Sequence, residues 1–384
     1  MDVKSFFVES YGYAPQIVAK SPGRINLIGE HTDYNLGFVL PAAIDKAAYV
    51  AIARRDDQLI RLFAKDLGEH YEVDINLFPE NLGHWSAYVL GVVDQLKKLG
   101  KTMSGFDLVL TCDVPTGAGM SSSAAVECAT AFSLNALFDL ELERLDLVRL
   151  AQKAENEFVG VKCGIMDMFA SVMGKDAQVI QLDCRDLSYQ YFPLNLGDYK
   201  IVLFDTGVKH SLAGGEYNLR RQQCEQGVAV LKERFPEVNS LRDATLSMLD
   251  EQFRSAISPT VYKRCLYVIE ENIRLEAGCT LLLQNDIHGF GKQMHGSHKG
   301  LSELYEVSCK ELDFLVELSK QEEAIAGARM MGGGFGGCTI NLVESSAIDA
   351  IYARFSVQYQ SVMGRELNMY VTLPSEGSQL IKFA

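Results

Sequence analysis

No run of about 18 apolar residues, the length a membrane-spanning helix needs, occurs in this chain. Its most apolar early stretch, residues 38–53, is broken by Pro41, Asp45 and Lys46. The first residues, Met1-Asp2-Val3-Lys4-Ser5-Phe6-Phe7, lack the basic segment followed by an apolar one that marks a secretory leader, so a cytoplasmic location is expected. No CxxC pair is present. The nine cysteines (112, 128, 163, 184, 224, 265, 279, 309 and 338) are odd in number and scattered, which argues against a disulfide framework and a zinc site. They read as small apolar core residues in a reducing compartment. Positive charge is also in deficit, with 36 Lys and Arg against 50 Asp and Glu, a net charge of −14. Such a surface repels a phosphate backbone and an anionic bilayer, so neither nucleic acid nor membrane is expected as a partner. Repeats, low-complexity tracts and long charge runs are absent.

What is present is the composition of a globular protein. Of 384 residues, 48% are hydrophobic and 22% charged, enough for about two domains with large cores. Period-2 and period-3.6 segments alternate along the chain. Strands are expected near 17–20, 47–54, 59–64, 69–75 and 106–112, with helices near 84–98, 121–138, 143–159 and 165–173. Strands at 177–183, 188–193 and 200–205 precede a helical region from 215 to 325. Strands at 327–331 and 338–343, a helix at 346–361 and a strand at 367–372 follow. The layout is α+β, because the strands are not spaced as regular βαβ units. A boundary near Leu196-Gly197-Asp198 would divide the chain into residues 1–196 and 197–384.

Three glycine-bearing segments compete as nucleotide sites. In Pro115-Thr116-Gly117-Ala118-Gly119-Met120-Ser121-Ser122-Ser123, a strand-like run precedes and a helix-like run follows. Unpaired N–H groups and the partial positive charge of a helix N-terminus suit phosphate there, and glycines permit its close approach. A tight turn before a helix cap would look similar. Gly332-Gly333-Gly334-Phe335-Gly336-Gly337 matches GxGxxG, but a strand-like run follows rather than a helix, so it is not a dinucleotide fingerprint. Gly100-Lys101-Thr102 resembles the end of a P-loop, yet the required first glycine is Gln95.

Charged residues in apolar surroundings mark further candidates. Arg24 sits in a mostly apolar stretch, followed by Glu30, His31 and Asp33 within four residues. Two acids and an imidazole could grip several sugar hydroxyls or a cation. Glu155 shares a helical face with Val148, Ala151 and Phe158, and a carboxylate so placed needs a partner or a cation such as Mg²⁺. Asp167 is the only charge in Gly164-Ile165-Met166-Asp167-Met168-Phe169-Ala170, either a helix cap or a functional carboxylate.

Taken together, these segments resemble the galactokinase branch of the galacto-, homoserine, mevalonate and phosphomevalonate kinase family. The resemblance is carried by PGRINLIGEHTDYN (22–35), PTGAGMSSSAA (115–125), ENEFVGVKCGIMD (155–167), GEYNLRR (215–221) and GGGFGGC (332–338), and it spans nearly the whole chain. It implies two domains, the first like domain 2 of ribosomal protein S5 and the second ferredoxin-like, with the active site in the cleft between them. It implies transfer of the γ-phosphoryl group of ATP to the anomeric hydroxyl of α-D-galactose, giving galactose 1-phosphate and ADP, by a monomer. Arg24 and Asp167 match the family's catalytic pair. Glu30, His31, Asp33, Gly164 and Tyr217 match its sugar contacts. Gly117, Ala118, Gly119, Met120, Ser121, Ser122 and Ser123 match its triphosphate loop, and Ser123 with Glu155 match its Mg²⁺ ligands. Trp85 and Tyr88 sit where the family contacts adenine. Met168 departs from the pattern, which usually has Gln directly after the catalytic Asp. The same residues leave three rivals: a kinase for another sugar, a catalytically silent sugar sensor, and a homoserine or mevalonate kinase, the last disfavoured by GEHTDYN.

Overall fold

The computed structural model describes residues 2–77, 83–208 and 213–382. Helix α1 (Val3–Tyr11) was not evident from the sequence; Asp2 caps it by accepting from the Ser5 N–H at 3.1 Å, and Val3 and Phe7 are buried. Then come β1 (Ile17–Asn26), β2 (Phe38–Val39), β3 (Pro41–Arg54), β4 (Leu59–Ala64) and β5 (Glu69–Asp74). Helix α2 (Ser86–Lys98) leads to β6 (Phe106–Cys112), and α3 (Ser122–Leu137), α4 (Arg144–Lys153) and α5 (Met166–Met173) follow. Strands β7 (Gln178–Asp183) and β8 (Tyr189–Pro193) complete the first half.

The second half runs β9 (Tyr199–Asp205), α6 (Ala213–Arg234), α7 (Glu251–Ala256), α8 (Pro259–Leu283), α9 (Ile287–Glu303), α10 (Lys310–Lys320), β10 (Ile325–Met330), β11 (Cys338–Glu344), α11 (Ile348–Met363), β12 (Asn368–Thr372) and β13 (Gln379–Leu380). The α+β expectation holds.

The six-stranded sheet has the order β13-β1-β3-β6-β4-β5, parallel only between β4 and β6. Both ends of the chain build it, because β13 pairs with β1 at Ala19 and Lys20. Against this sheet lies α3, whose Ala, Ser, Cys and Thr residues are buried around most of its circumference. Small side chains let it sit close to β1 and β3 while α2, α4 and α5 cover its other faces. Glu127 is its one charged residue. The second sheet is antiparallel in the order β10-β11-β9-β12, which with its helices makes the β-α-β-β-α-β, ferredoxin-like arrangement.

Two expectations need correction. The helix expected at 143–159 stops at Lys153, and residues 154–159 form a π-helical turn. That turn carries Glu155 and packs on α2 at Gly91, where a Cβ would stand 3.2 Å from the Cβ of Phe158. A π-turn adds a residue that period-3.6 reasoning cannot anticipate, and such turns gather at functional sites. Strands β1 and β3 extend well beyond the expected 17–20 and 47–54, because β1 continues past a bulge at Pro22–Arg24.

Candidate active site

The residues singled out in the sequence converge where β1, the loop before α3 and the start of α5 meet. Gly23 permits the approach: a Cβ there would stand 2.6 Å from the Met120 carbonyl oxygen. The Arg24 N–H donates to that same oxygen at 3.1 Å. The Arg24 guanidinium then turns to Asp167, Nε to Oδ1 at 2.7 Å and Nη2 to Oδ2 at 2.8 Å, a bidentate fork. Its Nη1 donates to the Gly119 carbonyl. Burial pulls the Arg24 pKa down, but the charges of Asp167, Glu30 and Asp33 push harder and leave it raised, so the cation is permanent. Asp167 lies in the first turn of α5 without capping it. Its carboxylate also accepts from the Ser121 hydroxyl.

Ser121 stands at the N-terminus of α3 with φ 56° and ψ 57°. A left-handed non-glycine residue is uncommon, and here it coincides with the hydroxyl's bond to Asp167. Gly117 and Gly119 have φ of 80° and 76° and shape the loop before the helix. Facing that loop is the second glycine segment: a Cβ on Gly332 would come within 3.7 Å of the Gly119 carbonyl oxygen, and one on Gly337 within 3.8 Å of that of Gly117. The two glycine segments thus approach each other closely beside the α3 N-terminus.

Below the loop, Ser123 Oγ donates to Glu155 Oε1 at 2.9 Å, and the Cys163 thiol donates to Oε2 at 3.1 Å. Burial raises the Glu155 pKa against the lowering effect of these two bonds. Glu127, one helical turn beyond Ser123, is fully buried, and neither carboxylate oxygen has a hydrogen-bond partner. Burial, then the charges of Glu155 and Asp167, raise its pKa well above the usual carboxylate range. Glu155 has hydroxyl and thiol donors and the more distant Arg24 charge, while Glu127 has no partner, so a cation beside them would offset the cost of burying these carboxyl groups. Among the described residues no three His, Cys, Asp or Glu side chains converge into an all-protein metal cage. Mg²⁺ binds proteins through one or two carboxylates and completes its shell with water and substrate phosphates, a donor set that Ser123 and Glu155 fit.

A cavity of about 360 Å³ opens beside Arg24 and Asp167, lined by Glu30, His31, Asp33, residues 160–164, Met166, Tyr217, Asn218, Gly332 and Gly333. All five expected sugar contacts border it. Gly164 leaves room for Asp33: a Cβ at 164 would stand 1.6 Å from Asp33 Oδ2. Burial, with the nearby charge of Asp167, raises the Asp33 pKa to about 7. His31 has φ 61° and both ring nitrogens engaged, Nδ1 with the Tyr34 hydroxyl at 2.8 Å and Nε2 with the Gly333 carbonyl at 3.2 Å. Burial lowers its pKa to about 4, so it is neutral. Accepting at Nδ1 and donating at Nε2 satisfies both bonds. Behind it the hydroxyls of Tyr34 and Tyr305 meet at 2.8 Å, and the Tyr217 ring packs edge-on against Tyr34.

Several members were not legible beforehand. Arg329 is wholly buried and reaches Glu30 from the second half of the chain. Arg220 braces α6 through the carbonyls of Tyr305 and Glu306 and lies over the Phe335 ring. Glu127 and Arg329 each carried a usable signal, a single charge in an otherwise apolar element. Met168 is buried among Val39, Ala124, Cys128 and Phe169, away from the cavity, so its departure from the family pattern falls in the core. Trp85 and Tyr88 stand at the start of α2, half-buried against the main core, with Tyr88 within electrostatic reach of Glu155 and Glu127.

Comparison with known proteins converges on one group. The galactokinase galactose-binding signature matches residues 5–54, the GHMP kinases N terminal domain residues 87–175, and the GHMP kinases C terminal domain residues 280–360. A galactokinase of Roseiflexus sp. is 39% identical over 98% of this chain and 96% of its own length. One of Thermotoga maritima is 40% identical over 94% of this chain and 99% of its own. Among solved structures, Lactococcus lactis galactokinase complexed with galactose superposes with a TM-score of 0.93 at 34% identity, covering 98% of both chains. The Methanococcus jannaschii mevalonate kinase shares the fold at a TM-score of 0.67 and 17% identity, over 94% of this chain and 98% of its own.

Proposed function

The chain belongs to the galactokinase family of GHMP kinases and is an ATP-dependent sugar kinase acting on galactose, and from that premise we propose that Asp167 and Arg24 carry the phosphoryl transfer. The acceptor is the anomeric hydroxyl of α-D-galactose, and the products are galactose 1-phosphate and ADP. The observation that supports this reading best is the Arg24–Asp167 fork, which lies between the α3 N-terminus and the cavity.

In this reading the triphosphate lies along Gly117 to Ser123, where N–H groups of the loop and the helix terminus meet its charge. Galactose occupies the cavity, with Glu30, Asp33, Gly164 and Tyr217 around it and His31 as a neutral, doubly bonded wall. Asp167 accepts the hydrogen of the anomeric hydroxyl and orients its oxygen toward the γ-phosphorus. Arg24 holds that carboxylate by two bonds and offers positive charge to the transferring group. Ser121 fixes the other side of the same carboxylate. Ser123 and Glu155 fit Mg²⁺, which when bound supplies neutralising charge to the phosphates. Trp85 and Tyr88 flank the adenine end.

All nine cysteines are free thiols, in keeping with a cytoplasmic setting. Among the described residues no helix is long and apolar enough to cross a membrane.

The test is ADP release with Mg·ATP over a panel of galactose, 2-deoxygalactose, N-acetylgalactosamine, glucose, arabinose and no sugar. Release with galactose and little with glucose is expected. Absence of release with every sugar, from folded protein that binds ATP, would overturn the proposed machinery.

A further inference from the structure

Arg329 is a cation at the penultimate position of β10, with no solvent exposure. A buried guanidinium is costly unless its donors are met. Here Nε donates to the Leu27 carbonyl at 2.7 Å, Nη1 to that of Met330 at 2.7 Å, and Nη2 to the Asn26 carbonyl and to Glu30 Oε1, the last at 2.9 Å. Asn26 and Leu27 lie at and just past the end of β1, so one side chain from the second sheet grips the first just before the segment that carries Glu30. The Gly332 N–H adds a second bond to the same oxygen, Oε1, at 2.8 Å. Among the described residues, Oε2 has no hydrogen-bond partner, while Glu30 borders the cavity.

A carboxylate on a two-carbon stem would otherwise sample several rotamers. With one oxygen held by two donors, the other is presented to the cavity already oriented, so its ordering entropy is not lost again on binding. The same bonds join the sugar-side loop to the glycine loop, since Gly332 is also the residue that faces Gly119.

We propose that Arg329 is a positioning residue for sugar recognition: with Gly332 it holds Glu30 Oε1 so that Oε2 alone is free to accept a galactose hydroxyl. This rests on the reading of Glu30 as a sugar contact. Arg329 itself touches no sugar.

The experiment measures binding of galactose and its 2-, 3-, 4- and 6-deoxy analogues by calorimetry to the wild-type chain, Glu30→Gln and Arg329→Lys. One deoxy sugar, lacking the hydroxyl that Glu30 takes, should bind Glu30→Gln as well as wild type, while galactose loses about 10-fold, as for one charge-assisted hydrogen bond. Arg329→Lys should weaken galactose by a similar factor, spare the same deoxy sugar, and leave ATP binding unchanged. A loss spread evenly over all sugars, or shared with ATP, makes Arg329 a structural residue only and overturns the inference. Absence of any sugar-selective effect in Glu30→Gln sinks the reading of Glu30 and the inference with it. Should Arg329→Lys not fold, the wild-type chain decides. Amide exchange at Gly332, the N–H on Glu30, should slow with galactose more than with the selective deoxy sugar at equal saturation, and equal slowing overturns the proposal.

Discussion

Arg24 and Asp167 are 143 residues apart in sequence and lie fork to fork, with both nitrogen–oxygen contacts under 3 Å. The strand contributes the cation, the helix the anion, and Ser121 approaches the same carboxylate from the phosphate loop. This contact joins the cavity to the loop before α3.

Asp167→Asn keeps the shape of the side chain but removes the acceptor charge. The fold and ATP binding should persist, while turnover falls by about 10²–10⁴-fold, the usual worth of a positioned base. ADP release under saturating galactose and Mg·ATP measures it. Turnover near the wild-type level would remove Asp167 from its role.

Gly164→Ala places a methyl group where the Asp33 carboxylate now lies, 1.6 Å from Oδ2. Asp33 must swing away, and galactose affinity should fall by about 10-fold or more, since a hydrogen bond to a charged group is worth about 1.5–3 kcal/mol. ATP affinity should not change. Calorimetric titration with each ligand separates the two, and an unaltered galactose affinity would show that Asp33 can be displaced without consequence.

The raised pKa of Asp33 predicts a pH signature. Its folded value, about 7, lies above the usual 3.8. Between these values the folded state keeps a proton that the unfolded state has released, so this group's contribution to stability falls as pH rises from about 4 to 7 and is flat above. His31 acts in the opposite sense: its folded value of about 4, below the usual 6.5, adds stability as pH rises across that interval. Comparing wild type with Asp33→Asn cancels the histidine. The variant's melting temperature, relative to wild type, should climb steadily from pH 4 to 7. A constant difference across that range would contradict a raised Asp33 pKa.

The metal reading predicts a split between free and Mg²⁺-bound nucleotide. Ser123→Ala and Glu155→Gln should each weaken Mg·ATP binding by at least about 10-fold, the lower end of what outer-shell changes cost a metal site. Binding of ATP with EDTA present should change little. Equal losses in both conditions would mean that these side chains serve the loop's structure rather than a cation.

Much of this protein was determined by sequence alone, and for local reasons. A strand, then glycines and serines, then an apolar helix specify the strand–loop–helix turn at the α3 N-terminus. The apolar face around Glu155 announced a buried carboxylate, and the isolation of Asp167 left a helix cap and a functional carboxylate both open. Alternating periodicities specified most strands and helices, because burial on one face is written within a few residues. The tertiary structure decided which buried charges meet. An isolated Arg24 or Arg329 states the need for a partner, but Asp167 and Glu30 are identified only when two sheets and a helix fix their distances. The π-turn at 154–159 and the pairing of β13 with β1 have the same origin. Each depends on contacts across long stretches of chain, where the energy of packing and register outweighs local preference. His31 shows the limit most sharply: its sequence neighbours left sugar hydroxyls and a cation both open, and only the fold shows both ring nitrogens engaged, one with Tyr34 and one with Gly333, while the residue borders the cavity.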